Sequence, residues 1–465
     1  MRHRVLLIAE AANPEWVSVP LVGWSLANAL RSVAEVHLVT QVRNRPAILR
    51  AGLVEGEDFT AIDNEALMRP LWKVAEALRG GAGKGWTTLA AIGALGYPLF
   101  ERMVWKRFGA AIRAGHYDVV HRITPLSPTA ASSLAGRCAR AGVPFVVGPI
   151  NGGIPWPDGF DRERRREKEW LSYVRSAYKL LPGIRRTWRK AAAVVVGSRH
   201  TGSEVPAAAS GKMVYLPENA IDPEQFVDRG TPGRYDALNL CFIGRLVPYK
   251  GPDIALHAAA ELLRAGRATL TIIGDGPMMA DLRELSERLG VTERVEFAGW
   301  VEHRDIPHRV SDRSVFLFPS VREFGGGAVI EAMALGLVPI VVDYGGPGEI
   351  VSDDTGFRLP LGTREHLVAA ARSALADIAS GRHDLAAIAA RGRDRIDQLY
   401  TWPRKAAQVV EVYDWVRGRR RGPPDFGFFD HPPIVRAGEA AASDRNRVAR
   451  HGQPHHLPAR AGLAG

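Results

Sequence analysis

Cysteine is nearly absent from this chain, because only Cys138 and Cys241 occur among its 465 residues. Two cysteines so far apart in apolar contexts indicate neither a disulfide framework nor a zinc site, and they favour a reducing compartment. Long hydrophobic runs are missing too. The best candidate, Leu89–Phe100, contains Pro98 and is shorter than the roughly 20 residues of a membrane helix. The apolar run after the basic start ends at Glu10, too early for a signal peptide. We therefore expect a cytoplasmic protein.

Positive charge, in contrast, is in excess. The net charge is +11 and the pI is near 9.9, which indicates attraction to nucleic acid, anionic lipid or phosphorylated substrates. The length predicts two core domains with an appendage.

Short apolar runs alternate with helix-length amphipathic segments, which is typical of parallel strands in a doubly wound α/β domain. The first set comprises Val5–Ala9, Val36–Thr40, Val119–His121, Val143–Val147 and Ala192–Val196. The rhythm then restarts with Leu238–Ile243, Thr269–Ile273, Val295–Phe297, Val315–Phe318 and Val338–Val342. We predict a first domain over 1–222, a hinge over 223–235, a second domain over 236–400, a helix over 401–417 that returns toward the first domain, and a disordered basic tail over 418–465.

Two regions interrupt this rhythm, an insertion over 45–113 and a basic, aromatic helical stretch over 161–190. Basic helices with aromatic residues are typical of enzymes that lie on anionic membranes. A nucleic-acid surface has the same composition. A third interpretation is a helix that packs its aromatics inward and exposes its arginines.

A glycine-rich segment from Arg322 to Ile350 carries the strongest functional signal. Glu323 and Glu331 flank Gly325, Gly326 and Gly327, at the point where a loop is predicted to become a helix. Glycines allow close backbone approach, and a helix N-terminus attracts phosphate, whereas carboxylates accept hydrogen bonds from sugar hydroxyls. Together these features indicate a nucleotide-sugar site. The alternative is an ordinary turn with two solvated glutamates.

Other candidate residues follow neighbouring strands of the second set. Gly244 permits a turn before Arg245 and Lys250, whose two cations suit a diphosphate. The next strand ends in a second tight turn with Gly274 and Gly276. A third strand runs into a glycine turn at Trp300. All these loops would fall on one rim of one sheet.

These motifs resemble a known family. The segments GRL-x-x-x-KG, IIGDGP, RVEFAGW, VVGS, LPENAID and the Glu-x7-Glu pair with EAMALGLVPIVVDYGGPGEIV are similar to the retaining family 4 glycosyltransferases of the GT-B fold. The resemblance spans roughly Val5 to Trp415. It implies two Rossmann-like domains that face each other across a cleft, with the nucleotide-sugar donor bound mainly by the second. It also implies no cofactor and no metal, in agreement with the absence of an Asp-x-Asp triplet from the sequence.

The resemblance assigns roles to these residues. Arg245 and Lys250 would hold the donor diphosphate and stabilise the leaving group. Glu323 would lie near the sugar hydroxyls and Glu331 would bind the nucleotide ribose. The catalytic candidates are therefore Glu323, Arg245 and Lys250. The wider donor-binding set adds Gly244, Gly274, Gly276, Trp300, Gly325, Gly326, Gly327, Ala328, Val329 and Glu331.

The acceptor side is carried by the first domain. We expect His121 to end a strand and point into the cleft, as a binding residue, because relatives with His-x-His have a second histidine where this chain has Ile123. Gly152 and Gly153 in GPINGG would shape the pocket. Gly23 would replace a glycine pair of the first loop, and Glu10 and Asn13 would meet the acceptor.

The resemblance thus implies a hexosyltransferase that moves a sugar from a nucleotide-sugar to a saccharide or lipid-linked acceptor, with retention of configuration, in cell-envelope or exopolysaccharide synthesis. An anionic membrane surface, on the inner face of the cytoplasmic membrane, is a further expected partner, and nucleic acid is not. Two alternatives are a non-catalytic sugar-nucleotide-binding protein and a GT-B sugar-nucleotide epimerase.

Overall fold

The computed structural model describes residues 2–65, 86–152, 154–161 and 182–429. Gly153, part of the predicted insertion, most of the basic aromatic stretch and most of the predicted tail lie outside these described residues.

Seven parallel strands form the first sheet, in the order β3-β2-β1-β4-β5-β6-β7. They are β1 Arg4–Ala9, β2 Glu35–Gln41, β3 Phe59–Ile62, β4 Val119–Thr124, β5 Phe145–Ile150, β6 Ala193–Val196 and β7 Met213–Tyr215. The α-helices that accompany them are α1 Val19–Val33, α2 Arg45–Arg50, α3 Trp86–Arg113, α4 Ser133–Ala141, α5 Pro182–Lys190, α6 Arg199–Ser203 and α7 Ala207–Ser210.

Six parallel strands form the second sheet, in the order β10-β9-β8-β11-β12-β13. They are β8 Leu238–Ile243, β9 Ala268–Ile273, β10 Val295–Gly299, β11 Val315–Phe318, β12 Val338–Val342 and β13 Phe357–Leu359. Its α-helices are α8 Pro252–Arg264, α9 Met279–Arg288, α10 Ile306–Arg309, α11 Gly327–Ala334, α12 Gly345–Ile350, α13 Arg364–Ala379 and α14 Leu385–Leu399.

Central strands such as β1 (RVLLIA) and β12 (VPIVV) are almost wholly buried, because helices cover both faces of each sheet. Each sheet reverses its strand order once, between β1 and β4 in the first and between β8 and β11 in the second. Ligands of doubly wound sheets bind in the crevice beyond the strand ends at such a switch point. The topology therefore predicts a ligand site at the loops that follow these strands.

A last helix, α15 Trp402–Val416, is capped by Thr401, whose hydroxyl accepts a hydrogen bond from the Arg404 N–H. This helix packs against α1 and so joins the end of the second half of the chain to the first sheet. None of the described helices is both long and apolar enough to cross a membrane.

The predicted fold class, two doubly wound parallel sheets, is confirmed. All ten predicted strands are present, but β5 starts at Phe145 rather than Val143. The reason lies in the preceding helix, because Gly142 adopts a left-handed conformation and the Val143 N–H closes α4 by bonding the Cys138 carbonyl. The three strands not predicted, β3, β7 and β13, are only three or four residues long. The domain boundaries stay a prediction.

Candidate functional site

The turns after β8 and β9 fit together because glycine occupies the points of contact. At Gly274, with φ of 134°, an added Cβ would lie 2.0 Å from the Gly244 carbonyl oxygen. At Gly276, with φ of 159°, it would lie 2.5 Å from the Leu246 carbonyl oxygen. Both backbone conformation and space exclude a side chain there. The structure thus brings the two predicted glycine turns to one rim.

The glycine loop after β11 lies against a second glycine pair. Gly326 has φ of 60° and directly precedes α11. An added Cβ at Gly346 would lie 2.8 Å from the Gly326 nitrogen, and one at Gly345 would lie 2.4 Å from the Glu323 carbonyl oxygen. The loop is therefore held close to α12, and Gly327, Ala328 and Val329 form the first turn of α11, where helices present backbone N–H groups.

Lys250 and Glu323 form an ion pair at the edge of this loop, with side chains that are 18% and 19% exposed. The Lys250 Nζ also lies 5.2 Å from the centre of the Phe318 ring. Burial lowers the pKa of Lys250 to about 8. Arg245 is exposed on the neighbouring turn. A compact cation thus lies beside the predicted sugar carboxylate.

Glu331 lies on α11 and pairs with a histidine that the sequence reasoning missed. The Nε2 of His303 donates to Glu331 Oε1 at 2.9 Å, and this bond raises the pKa of His303. Gln225 Nε2 lies 3.4 Å from the other ring nitrogen. The signal that could have revealed His303 is its position just after the third glycine turn, in WVEH. Trp300 in the same turn is 69% exposed.

The expectation that His121 ends a strand and points into the cleft is wrong. It lies within β4 and is fully buried. Its Nε2 donates to the Gly148 carbonyl at 2.7 Å, and its Nδ1 accepts from the Tyr413 hydroxyl at 2.7 Å. Burial lowers the pKa of His121 to about 4, so the ring is neutral at physiological pH. In this arrangement His121 joins β4 to α15, and both of its ring nitrogens are bonded within the protein.

The other acceptor-side candidates are also engaged in packing. Glu10 pairs with Arg43 at 2.8 Å, although burial raises its pKa. Gly23 lies within α1 rather than in the first loop, and an added Cβ there would lie 2.1 Å from the Ala11 carbonyl oxygen. This glycine therefore lets the helix approach that loop. The Gly152 N–H donates to Asn151 Oδ1 at 2.7 Å, and Gly153 is outside the described residues.

Two further polar residues lie where the two sheets meet, and sequence reasoning did not select either. Asn151 follows β5 and bonds groups from both halves of the chain. Glu349, in α12, accepts hydrogen bonds from the Arg199 N–H and the Tyr215 hydroxyl, the latter at 2.7 Å. Burial raises the pKa of Glu349 to about 7. A polar network thus connects the first half of the chain to the second.

Part of the chain is similar to known glycosyltransferases. Residues 231–391 match the family model described as glycosyl transferases group 1. The 2-deoxystreptamine glucosyltransferase of Streptomyces kanamyceticus is 28% identical over 223 residues, which cover 43% of this chain and 57% of that protein. The GDP-mannose-dependent alpha-(1-6)-phosphatidylinositol monomannoside mannosyltransferase of Mycolicibacterium smegmatis is 28% identical over 256 residues, or 51% of this chain and 65% of that protein.

The fold has solved counterparts. The crystal structure of Anabaena HepE in complex with UDP aligns with a TM-score of 0.57 and 16% identity, and covers 89% of this chain and 100% of that one. This likeness confirms the predicted GT-B fold. The curated relatives, in contrast, align over less than two thirds of their own lengths.

Proposed function

We propose that this chain is a hexosyltransferase that uses a nucleotide-sugar donor, because residues 231–391 match the family model of glycosyl transferases group 1 and the fold is GT-B. The observation that carries the proposal is the Lys250–Glu323 pair beside the N-terminus of α11. Cation, carboxylate and helix terminus provide groups for diphosphate and for sugar hydroxyls at one rim.

The donor would lie across the switch point of the second sheet. Its diphosphate would contact Lys250 and Arg245 together with the first amides of α11. It would replace Glu323 as the ion-pair partner of Lys250. The freed carboxylate would then accept hydrogen bonds from the sugar. As the glycosidic bond breaks, negative charge grows on the diphosphate, and fixed cations stabilise that charge. We propose that these cations serve in place of a metal ion.

A panel of UDP-, GDP- and ADP-sugars tests the donor class. A ligand that binds only the native protein raises its melting temperature. We expect one base to do so, and UDP is the first choice because the HepE structure holds UDP. If no nucleotide-sugar changes the melting temperature, the proposal fails.

We propose that transfer retains the anomeric configuration. The departing diphosphate would accept the proton of the acceptor hydroxyl on the same face of the sugar, so that the main task of the protein is to position the two substrates. NMR of the product linkage decides this point, since an inverted anomer contradicts the mechanism. Conversion of a donor incubated alone into its epimer would instead indicate the epimerase, and donor binding without transfer would indicate the non-catalytic protein.

We further propose that the acceptor is a saccharide or lipid-linked saccharide of the cell envelope, reached at an anionic membrane surface on its cytoplasmic side. The support is one face of the first sheet, where α3, α4 and α5 lie side by side. In the described residues these helices carry ten basic side chains, and their single carboxylate, Glu101, is buried at the N-terminus of α4. The ten are Arg102, Lys106, Arg107, Arg113, Arg137, Arg140, Arg185, Arg186, Arg189 and Lys190.

The sequence predicts that aromatic as well as basic side chains of these helices meet the membrane, and for α5 the aromatic part of this prediction is wrong. Trp188 and Ile184 are buried against the sheet, so α5 offers charge rather than apolar side chains. Attraction to lipid would therefore be electrostatic, at about 1 kcal/mol for each basic residue near an anionic surface.

Sedimentation with vesicles that contain anionic lipid tests this surface. We expect binding that is lost at high salt and weakened about tenfold or more by Arg189→Glu combined with Lys190→Glu. The matched control reverses two exposed cations elsewhere, Arg264→Glu with Arg404→Glu, and should bind like the wild type. Equal loss in both variants, or binding to neutral vesicles, contradicts the proposal.

A further inference from the structure

Asn151 connects three parts of the molecule through a single side chain. It follows β5, is only 5% exposed, and bonds the first domain, the segment after β7 and the loop that carries Glu323. We infer that Asn151 is a positioning residue that sets the donor loop, the segment between β11 and α11, against the acceptor-side domain during transfer. This inference rests on the proposed function and deepens it.

The oxygen of the Asn151 amide is fixed by donors from its own domain. The Ser198 hydroxyl donates to Oδ1 at 2.8 Å, the Gly152 N–H at 2.7 Å, and the Thr201 hydroxyl at 3.3 Å. Because all three groups are donors, the atom that faces them must be the amide oxygen, which accepts, and not the NH2 group. The NH2 group must therefore face the second domain.

The nitrogen of the amide has two hydrogens and two targets. Nδ2 lies 2.8 Å from each carboxylate oxygen of Glu218 and 3.2 Å from the Phe324 carbonyl oxygen. Phe324 stands between Glu323 and Gly325, the residues proposed to face the donor sugar. The hydrogen bond to the Phe324 carbonyl thus connects the acceptor-side domain directly to the backbone of the donor loop.

Glu218 packs against the same loop. It is 5% exposed, and an added Cβ at Gly325 would lie 2.2 Å from its Oε1, while one at Gly197 would lie 2.4 Å from its Oε2. Burial raises the pKa of Glu218, whereas the Asn151 bond and the nearby Lys405 oppose this rise. A buried carboxylate needs hydrogen-bond donors, and the amide of Asn151 meets this need.

Transfer to an acceptor requires more than donor binding. The acceptor hydroxyl must lie within about 3.5 Å of the anomeric carbon, and a misplacement of about 1 Å can cost about 10²-fold in rate. Donor contacts lie in the second domain, whereas the acceptor is expected on the first. Loss of the Asn151–Phe324 bond should therefore lower kcat with little effect on nucleoside diphosphate affinity.

The variant Asn151→Asp removes this bond together with the bonds to Glu218. Aspartate keeps the oxygen that accepts from Ser198, Thr201 and Gly152, but it donates nothing to Phe324 and places a second carboxylate against Glu218. The double variant Asn151→Asp with Glu218→Gln restores a hydrogen bond between these two positions with reversed polarity and the original net charge. It leaves the Phe324 carbonyl without its amide donor.

The two variants separate positioning from stability. We expect Asn151→Asp to lower both the melting temperature and kcat, and the double variant to recover the melting temperature while kcat stays about tenfold or more below the wild type. The Kd for UDP, GDP or ADP, whichever the wild type binds, should change by less than about threefold in the double variant, since the donor contacts are intact. As a control, Asn239→Asp alters a half-buried asparagine remote from the cleft and should leave kcat unchanged.

Recovery of kcat together with the melting temperature in the double variant would overturn the inference, because Asn151 would then act only through stability. Unchanged kcat in Asn151→Asp would overturn it as well. Failure of the proposed function can be distinguished from failure of this inference, because it appears in the wild type as absence of nucleotide-sugar binding and transfer. In that case this inference fails too.

Discussion

At the scale of single residues, Lys250 and Glu323 form the ion pair on which the proposed donor site depends. The ammonium and the carboxylate neutralise each other in a partly buried position. A lone buried charge is costly, so each group stabilises the other. A diphosphate would replace the carboxylate as the partner of Lys250.

The pKa of Lys250 makes a pH prediction possible. Because burial lowers this pKa to about 8, the ammonium loses its proton as the pH rises through that value and attraction to the diphosphate falls. The Kd of the nucleoside diphosphate should be about tenfold higher at pH 9 than at pH 7. Calorimetric titration at both pH values measures this change.

The control for that titration is Lys250→Arg, because a guanidinium keeps its charge across this range. Its Kd should vary little between the two pH values. A wild-type protein whose affinity is independent of pH, or an arginine variant with the same pH dependence, would contradict the role of Lys250.

Gly325 offers a steric prediction. An added Cβ would lie 2.2 Å from both the Glu218 Oε1 and the Asn219 Nδ2, so Gly325→Ala must displace the loop. We expect a loss of about 1–3 kcal/mol in the free energy of unfolding, with weaker nucleotide-sugar binding. Urea denaturation and calorimetry measure the two effects.

Gly392→Ala is the matched control for that substitution. Its added Cβ would lie 3.6 Å from the nearest atom, within α14, so the variant should be neutral or slightly more stable. Similar behaviour of the two alanine variants would show that the contacts beneath the donor loop are unimportant.

At the scale of elements, α12 links the two sheets through Glu349. Its carboxylate accepts from the first N–H of α6 and from Tyr215 on β7, and the glycines at its start support the donor loop. One short helix thus contacts the donor loop at one end and the first sheet at the other.

Glu349 should make stability depend on pH. Its pKa of about 7 in the folded protein is above the ordinary value, so the folded state binds a proton that the unfolded state lacks between these two values. The resulting stabilisation is present at low pH and is lost as the pH rises through about 7. The free energy of unfolding of Glu349→Gln, measured relative to that of the wild type, should therefore be higher at pH 8 than at pH 5.5.

Urea denaturation at the two pH values tests this sign. The exposed Glu293→Gln serves as the control and should follow the wild type at both. A Glu349→Gln variant whose difference from wild type is the same at both pH values would contradict the account of this carboxylate.

Elements were predictable where local chemistry determines them. Buried β-branched runs such as Val338–Val342 indicate strands by themselves, and the glycine turns after β8, β9 and β10 follow from motifs of a few residues. His121 was misplaced because its burial depends on Tyr413, 292 positions further along the chain. Asn151 and Glu218 were missed for the same reason, since their importance arises from contacts between distant segments.

At the scale of the whole molecule, the two sheets present their carboxyl edges to a common junction. The donor loop contributes Phe324, the first domain contributes Asn151, and α15 adds Lys405 near Glu218. Two domains that meet through buried polar groups have a defined relative placement, because each unpaired group would be costly. This arrangement suits a reaction between a donor bound to one domain and an acceptor bound to the other.

The most direct test of the account is calorimetric titration of the nucleotide-sugar that stabilises the wild type, into the wild type and into Glu331→Ala. We predict binding to the wild type and a loss of about 1.5–3 kcal/mol in the variant, since the proposed ribose bond to a charged group disappears. The variant should keep its unfolding transition, because Glu331 is bonded on the surface to His303. Equal affinity of both proteins, or no binding by the wild type, would contradict the assignment of this rim as the donor site.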